Sequence, residues 1–187
     1  MALNFLADEV YERAQIASSK STADTLRFQP ASDKTVSFID TLVPDSWDWR
    51  TKGAVTPVRE YGPLDAYSYA AGGCVESFNF IKTQDLVTDY PLIYGHCYNR
   101  SCDAVAKVSG GQKVPIGDEE TIKSAVYLTP VLAEVDATRS SFKLYQDGIY
   151  SDPQCPNSSV NYPLQVVGYG SLNGMDYWIC RNNWGVN

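Results

Sequence analysis

The chain has 187 residues, of which 44% are hydrophobic and 12% aromatic, and this composition suits one domain or a small two-lobed unit. Its net charge is −7 and it contains no run of lysine and arginine, which argues against a surface for nucleic acid or anionic membranes. No apolar stretch of the sequence approaches the length of a membrane span.

Residues 1–42 are predicted to form a short helix followed by an extended arm. Ala7 to Ser18 has acidic residues early, as the first turn of a helix prefers, and the Ser-, Thr-, Asp- and Pro-rich residues 18–46 show no sustained period. Met1 to Asp8 has neither the basic region nor the long apolar run of a signal peptide, so we expect a cytoplasmic protein. The glycosylation sequons at Asn99 and Asn157 would then be unused.

The chain contains five cysteines, and because this number is odd, at least one must stay unpaired. In a reducing cytoplasm all five are expected to be thiols. They are Cys74, Cys97, Cys102, Cys155 and Cys180.

The compact body is predicted to begin at residue 43 with a helical part, over about residues 43–100. Turns and short apolar runs fill Val43 to Arg59, and Asp65 can cap a helix that continues through Phe80 or a little beyond. Gly72-Gly73 would cost this helix about 1 kcal/mol per glycine relative to alanine, so the pair marks either close packing or a break.

Residues 88–116 are rich in loop-forming residues, and a β-rich part follows over about residues 101–187. Asp118-Glu119-Glu120 is predicted to begin a helix that ends near Tyr127, with the acidic residues at its positive end. Phe142 to Tyr150 is predicted to be an aromatic-rich turn, and "GSLNG" indicates a hairpin. The predicted strands are Pro130 to Asp136, Leu164 to Tyr169 and Asp176 to Arg181. Helices first and strands second indicate an α+β fold with two layers or lobes.

Five segments carry a resemblance to papain-like cysteine proteases. "VPDSWDWRTKGAVTPVREYG" resembles the opening of the mature enzymes, and "AVAKVSG", "SFKLYQDGIYSDPQC" and "VVGYGSLNGMDYWICRNNWG" resemble the second lobe. "LNFLADEVYE" looks like the tail of the inhibitory propeptide. The resemblance covers nearly the whole chain, and it implies a papain-like two-lobed α+β fold with a propeptide-like segment at 1–42.

The resemblance also assigns positions to the family's catalytic residues. With one residue deleted from "LDAYSYAA", Ala66 takes the place of the nucleophilic cysteine; without the deletion, Tyr67 does. Tyr61 replaces the oxyanion glutamine, Tyr162 replaces the histidine, and Asn182 keeps the asparagine.

A cysteine protease needs a thiolate, a nearby base and an oxyanion donor. Alanine cannot attack a carbonyl, and tyrosine with its pKa near 10 is a poor base at neutral pH. From these replacements we expect no catalytic residues and therefore no enzyme.

Spacing leads to the expectation that both lobes are incomplete. Family members place the histidine and asparagine about 130–150 residues after the nucleophile, whereas Tyr162 and Asn182 follow Ala66 by 96 and 116 residues (162 − 66 and 182 − 66). The gap is placed after Glu76-Ser77, and the chain stops at Asn187, where the family continues with its last barrel strands. The fold is thus expected to combine a degenerate helical lobe with a truncated β-barrel-like lobe.

Three other residue groups have a structural and a functional interpretation. Cys74 with His96 is either a thiol–imidazole pair or a packed cysteine and a loop histidine. His96, Cys97 and Cys102 are either metal ligands or, for the cysteines, remnants of the family's disulfides. Asp118-Glu119-Glu120 is better explained as a helix start than as a metal site. No cofactor and no metal are expected.

Six tyrosines could form an interaction surface or fill space within the fold, because tyrosine serves both purposes. They are Tyr61, Tyr67, Tyr69, Tyr90, Tyr94 and Tyr98.

The function expected from the sequence is that of a catalytically dead papain-like protein. It would serve as a structural scaffold or protein-binding component of a larger assembly, with a protein partner, a cytoskeletal filament being one candidate. The alternative is a decoy or inhibitor that blocks an active papain-like protease with its propeptide-like N-terminal helix.

Overall fold

A computed structural model describes residues 43–58, 66–85, 111, 113–114, 117–155 and 160–185. The predicted helix and arm at 1–42, Tyr61, the segment from His96 to Cys102 and Asn157 lie outside these residues. Within the described ranges, none of the helices combines the length and the apolar character that crossing a bilayer requires.

Two longer helices, two short helical segments and four strands make up the described structure. In chain order they are β1 (Trp47–Asp48), a 3₁₀ helix (Trp49–Lys52), α1 (Ala66–Thr83), α2 (Glu119–Leu128), β2 (Val131–Val135), α3 (Ser140–Lys143), β3 (Tyr162–Leu172) and β4 (Met175–Arg181).

One antiparallel sheet contains all four strands, and the 11-residue β3 is its central member. β2 pairs with the first half of β3, β1 pairs with Gly168 and Tyr169, and β4 returns along the other side of β3. The helical part predicted at 43–100 thus contributes β1 to the sheet, while the division of the body at residue 100 stays a prediction.

The β3–β4 hairpin predicted from "GSLNG" is confirmed. β3 extends further than predicted, to Leu172, and the turn consists of Asn173 and Gly174, both at positive φ. Asparagine and glycine tolerate this left-handed conformation better than other residues, which explains why the chain reverses here.

Helix α2 begins at Glu119, within the acidic run Asp118-Glu119-Glu120 that predicted a helix start. The Asp118 carboxylate accepts a hydrogen bond from the backbone N–H of Thr121 at 2.9 Å, and Glu119 and Glu120 occupy the first turn. The hydrogen bonds from Thr121 lower the pKa of Asp118, so the cap is charged at neutral pH. Asp118 therefore acts as a helix cap, as the sequence analysis favoured.

Gly72-Gly73 does not interrupt α1, which is continuous from Ala66 to Thr83. A Cβ atom at Gly73 would lie 2.6 Å from Gln165 Oε1 and 2.8 Å from Arg181 Nη1. The first interpretation of the pair, close packing, is therefore confirmed for Gly73.

The core has two parts, one on each side of the sheet's central strand. The larger is formed where α2 packs on the sheet, with Ile122 and Val126 against Leu164 and Val166. The smaller surrounds Val167. Trp49 links the two, because its ring belongs to the smaller cluster and its Nε1–H donates to the backbone oxygen of Val126 at 2.6 Å.

Candidate active site

The start of α1, the start of β3 and the residues after β4 bring three of the four predicted site positions into one region. Ala66 is the first residue of α1 and Tyr162 the first of β3, and both belong to the same buried cluster. Asn182 directly follows β4. The fourth position, Tyr61, lies outside the described residues.

Tyr162 is held by its hydroxyl and by its ring. The hydroxyl contacts Asn182 Oδ1 at 3.0 Å and Asn183 Oδ1, and the ring lies 5.4 Å from that of Trp184. Burial raises the pKa of Tyr162 to about 12, with a smaller opposing effect from a hydrogen bond with Trp184. The phenol is therefore uncharged at neutral pH, and its single hydroxyl hydrogen is shared between the two asparagine oxygens.

The first turn of α1 presents a methyl group and a phenol. Ala66 is buried, and Tyr67 is partly exposed and donates its hydroxyl hydrogen to Glu134 Oε1 on β2. Under either alignment of the nucleophile position, the side chain found there is not a thiol. Sequence reasoning missed Glu134, although a glutamate within the strand-like "PVLAEVD" was a visible irregularity.

Cys74, Cys155 and Cys180 are free thiols. Burial raises the pKa of Cys74 and of Cys180 to about 12. It also raises the pKa of Cys155, with a further contribution from nearby aspartates. Because the thiolate is the reactive form, none of the three is an activated nucleophile at neutral pH. The proposed pairing of Cys74 with His96 falls on a histidine outside the described residues.

A buried polar network fixes α1 against the sheet. Arg181 on β4 forms an ion pair with Glu76 on α1 at 3.6 Å, and Thr56 donates to Glu76 at 2.8 Å. Arg181 also donates to Gln165 at 3.0 Å, and Gln165 donates to Ser77 on α1 at 3.2 Å. This network sets where the start of α1 lies relative to β3. This network was not predicted from the sequence, although a glutamate inside the apolar, small-residue run of α1 is a signal for it.

Two of the six tyrosines considered as an interaction surface, Tyr67 and Tyr69, lie within the described residues, and each makes a contact within the fold. Tyr67 bonds to Glu134, and the buried ring of Tyr69 lies 4.6 Å from the Arg181 guanidinium. For the buried Tyr69 the space-filling interpretation is confirmed, whereas both interpretations stay open for the partly exposed Tyr67.

A cluster of large apolar side chains adjoins Tyr162. The ring of Phe142 lies 5.8 Å from that of Trp184 and 5.6 Å from that of Tyr150, which in turn is 6.1 Å from that of Tyr145. We call these residues together with Leu144 the aromatic patch. Leu144, Tyr145 and Trp184 are 77%, 48% and 38% exposed.

Curated relatives of the chain are named as proteases. Cathepsin S of Mus musculus is 31% identical over 87% of this chain, and cathepsin L of Sarcophaga peregrina is 30% identical over 77%. A probable cysteine protease of Arabidopsis thaliana, RD21C, is 27% identical over the whole chain. The chain spans 51–62% of the length of these three relatives.

A solved structure shows the same fold. The bromelain protease of Ananas comosus, in complex with the inhibitor E64, superposes with a TM-score of 0.68 and 28% identity, covering 76% of this chain and 84% of the bromelain chain. The predicted α+β, papain-like fold is thereby confirmed.

These relatives contradict the expectation that the chain is not an enzyme. The expectation rested on the replacements at Ala66, Tyr162 and Tyr61, whereas the relatives are named as cathepsins and probable cysteine proteases. The inference also depended on aligning the chain through residues 59–65, which lie outside the described structure. The expectation that the chain does not belong to a class of enzymes was therefore wrong.

The family profile described as "Papain family cysteine protease" matches residues 70–187, which is more than half of the chain. The matched region contains β2, β3 and β4 together with Tyr162 and Asn182. The chain belongs to the papain family of cysteine proteases.

Proposed function

We propose that this papain-family chain binds polypeptide segments at the aromatic patch and serves in this way as a protein-binding or structural component of a larger assembly. The observation that carries the proposal is the exposure of three large apolar side chains, Leu144, Tyr145 and Trp184, beside the candidate active site. Exposed apolar patches on soluble proteins commonly mark interaction sites, and aromatic side chains are enriched at the centres of interfaces.

The patch is also held in place before any partner arrives. Its rings contact one another edge to face, and the Ser141 hydroxyl lies 2.8 Å from that of Tyr150 and donates to Asp152 at 2.7 Å. Asp152 accepts a further hydrogen bond from Arg139. A preorganised surface loses less conformational entropy on binding, which supports a binding function here.

The partner and the compartment stay predictions. We propose a protein partner, a cytoplasmic location and, as one candidate for the assembly, a cytoskeletal filament. The alternative function, inhibition of an active papain-like protease, depends on the propeptide-like helix in 1–42, outside the described residues. No observation among the described residues favours this alternative.

The test is binding of the full chain to an array of immobilised peptides, compared between two matched leucine variants. Leu144→Ser alters the patch, whereas Leu172→Ser alters an equally apolar, 55% exposed leucine on the β3–β4 hairpin. We expect Leu144→Ser to weaken binding about tenfold and Leu172→Ser to leave it unchanged. Equal effects of the two variants, or no peptide binding by the unaltered chain, would contradict the proposal.

Co-sedimentation with purified cytoskeletal filaments then tests the assembly itself. The unaltered chain is expected in the pellet and the Leu144→Ser variant in the supernatant. If both stay in the supernatant, the filament is not the partner, and the peptide array supplies other candidate sequences.

A further inference from the structure

We infer that Glu134 recognises a cationic group, a lysine or arginine side chain, of a polypeptide bound beside the start of α1. The inference rests on the proposed polypeptide-binding function and names a feature of the ligand that this function leaves open. The observation behind it is a buried carboxylate that accepts a hydrogen bond from a neutral donor and has no cation beside it among the residues that the structure describes.

The strand register shows which side of the sheet Glu134 faces. Glu134 lies opposite Pro163, and Leu132 lies opposite Gln165, so these four residues share one face. Gln165 bonds to Ser77 on α1, and Glu134 bonds to Tyr67 at the start of the same helix. Glu134 therefore lies between the sheet and the first turn of α1, one residue from Val135, the partner of Tyr162 in the register.

Two glutamates on this side of the sheet are buried to a similar degree but differ in the charge of the groups beside them. Glu76 is 4% exposed, and it has the Arg181 guanidinium at 3.6 Å and a hydrogen bond from Thr56. Glu134 is 6% exposed, and its recorded contact among the described residues is the hydrogen bond from Tyr67. Burying a carboxylate without a cation costs folding free energy, so a positive charge placed beside Glu134 would be stabilising.

A cationic group of a ligand would supply this positive charge. Tyr67, the residue that contacts Glu134, is partly exposed, so the pair lies at the edge of the buried region. Because the carboxylate is surrounded mostly by protein, a charge-assisted hydrogen bond to it is stronger than the same bond at the surface. A lysine or arginine side chain that enters beside Tyr67 would make such a bond, whereas an apolar side chain of equal length would not.

The experiment measures fluorescence anisotropy of labelled heptapeptides that contain phenylalanine and carry lysine, arginine or norleucine at each other position in turn. We expect the full chain to bind a basic residue at one position roughly 10- to 100-fold more tightly than norleucine. Glu134→Gln, which keeps the shape and the acceptor for Tyr67, is expected to abolish this preference. Glu120→Gln removes an equal charge from the exposed first turn of α2. This variant is expected to keep the preference for a basic residue.

Tyr67→Phe supplies a second variant with the opposite expected effect. It removes the neutral partner of Glu134 and should increase the preference for a basic residue. A preference that survives Glu134→Gln, or binding without any basic preference, would overturn the inference and leave the proposed function standing. Failure of every heptapeptide to bind would overturn the proposed function and the inference together. Should Glu134→Gln not fold, an unchanged preference in Tyr67→Phe would overturn the inference.

Discussion

Arg181 and Glu76 form an ion pair between β4 and α1 that is almost completely withdrawn from water, with side chains 3% and 5% exposed. The pair is surrounded by acceptors and donors from Thr56, Pro57 and Gln165. The start of α1, and with it the candidate site, is therefore positioned by polar contacts as well as by apolar packing.

Arg181→Met is expected to destabilise the protein strongly, because it removes the guanidinium that pairs with the buried Glu76 carboxylate. Removing one member of a buried pair costs about 3–5 kcal/mol. The measurement is urea denaturation of the unaltered chain and the variant. The matched control is Arg50→Met, since Arg50 is 58% exposed in its pair with Asp48 and such surface pairs contribute about 0–1 kcal/mol. Equal losses in the two variants would show that the buried network does not hold α1.

Gly73→Ala is expected to destabilise the protein by about 1–3 kcal/mol, although alanine is the better helix former. The added methyl group would overlap Gln165 Oε1 and Arg181 Nη1, both members of the buried network. Thermal melting measures the effect. Gly72→Ala, at a partly exposed position of the same helix, should instead gain about 0.5–1 kcal/mol. A gain at both positions would mean that the packing at Gly73 is looser than the structure shows.

Tyr162 is expected to make stability depend on pH in the alkaline range. Its pKa is raised by burial from an ordinary value near 10 to about 12 in the folded protein. A raised pKa means that the folded state binds the proton more tightly than the unfolded state. The resulting contribution to stability is complete below about pH 10 and is lost as the pH rises from about 10 through 12.

Chemical denaturation at a series of pH values between neutral and strongly alkaline measures this dependence. Tyr162→Phe should reduce the alkaline loss of stability without abolishing it, because burial also raises the pKa of Cys74, Cys180 and Tyr169 to about 12. Tyr145→Phe serves as the control, because Tyr145 is 48% exposed and lies at the surface. An unchanged slope in Tyr162→Phe would show that another group controls the alkaline transition.

Ala66→Cys combined with Tyr162→His is expected to raise hydrolysis of fluorogenic peptides above that of the unaltered chain. The double variant introduces a thiol at the start of α1 and an imidazole at the start of β3, the nucleophile and the base that papain-like chemistry requires. A general base contributes about 10²–10⁴-fold, so the double variant should exceed Ala66→Cys alone by at least about 100-fold. If the double and single variants hydrolyse the peptides equally, positions 66 and 162 are not the catalytic positions of this chain.

Several local features of the fold follow from residues that are close together in the sequence. Asp118 and Thr121 form a helix cap within one turn, and Asn173-Gly174 reverses the chain within a hairpin. Such features could be predicted because the groups that interact are neighbours along the chain. The motifs that resemble the papain family also identified Ala66, Tyr162 and Asn182 as candidate positions. The structure places them at the start of α1, at the start of β3 and directly after β4.

The contacts that define the site could not be predicted in this way, because they join residues far apart in the sequence. Arg181 meets Thr56 across 125 positions, and Tyr67 meets Glu134 across 67. Whether a buried glutamate is neutralised by a cation depends on which side chains the fold brings beside it. The sequence by itself determined the family, the local caps and turns, and the candidate positions. Only the tertiary structure decided that Glu76 has a cation within reach while Glu134 has a phenol, since burial and charge compensation are properties of the packed chain.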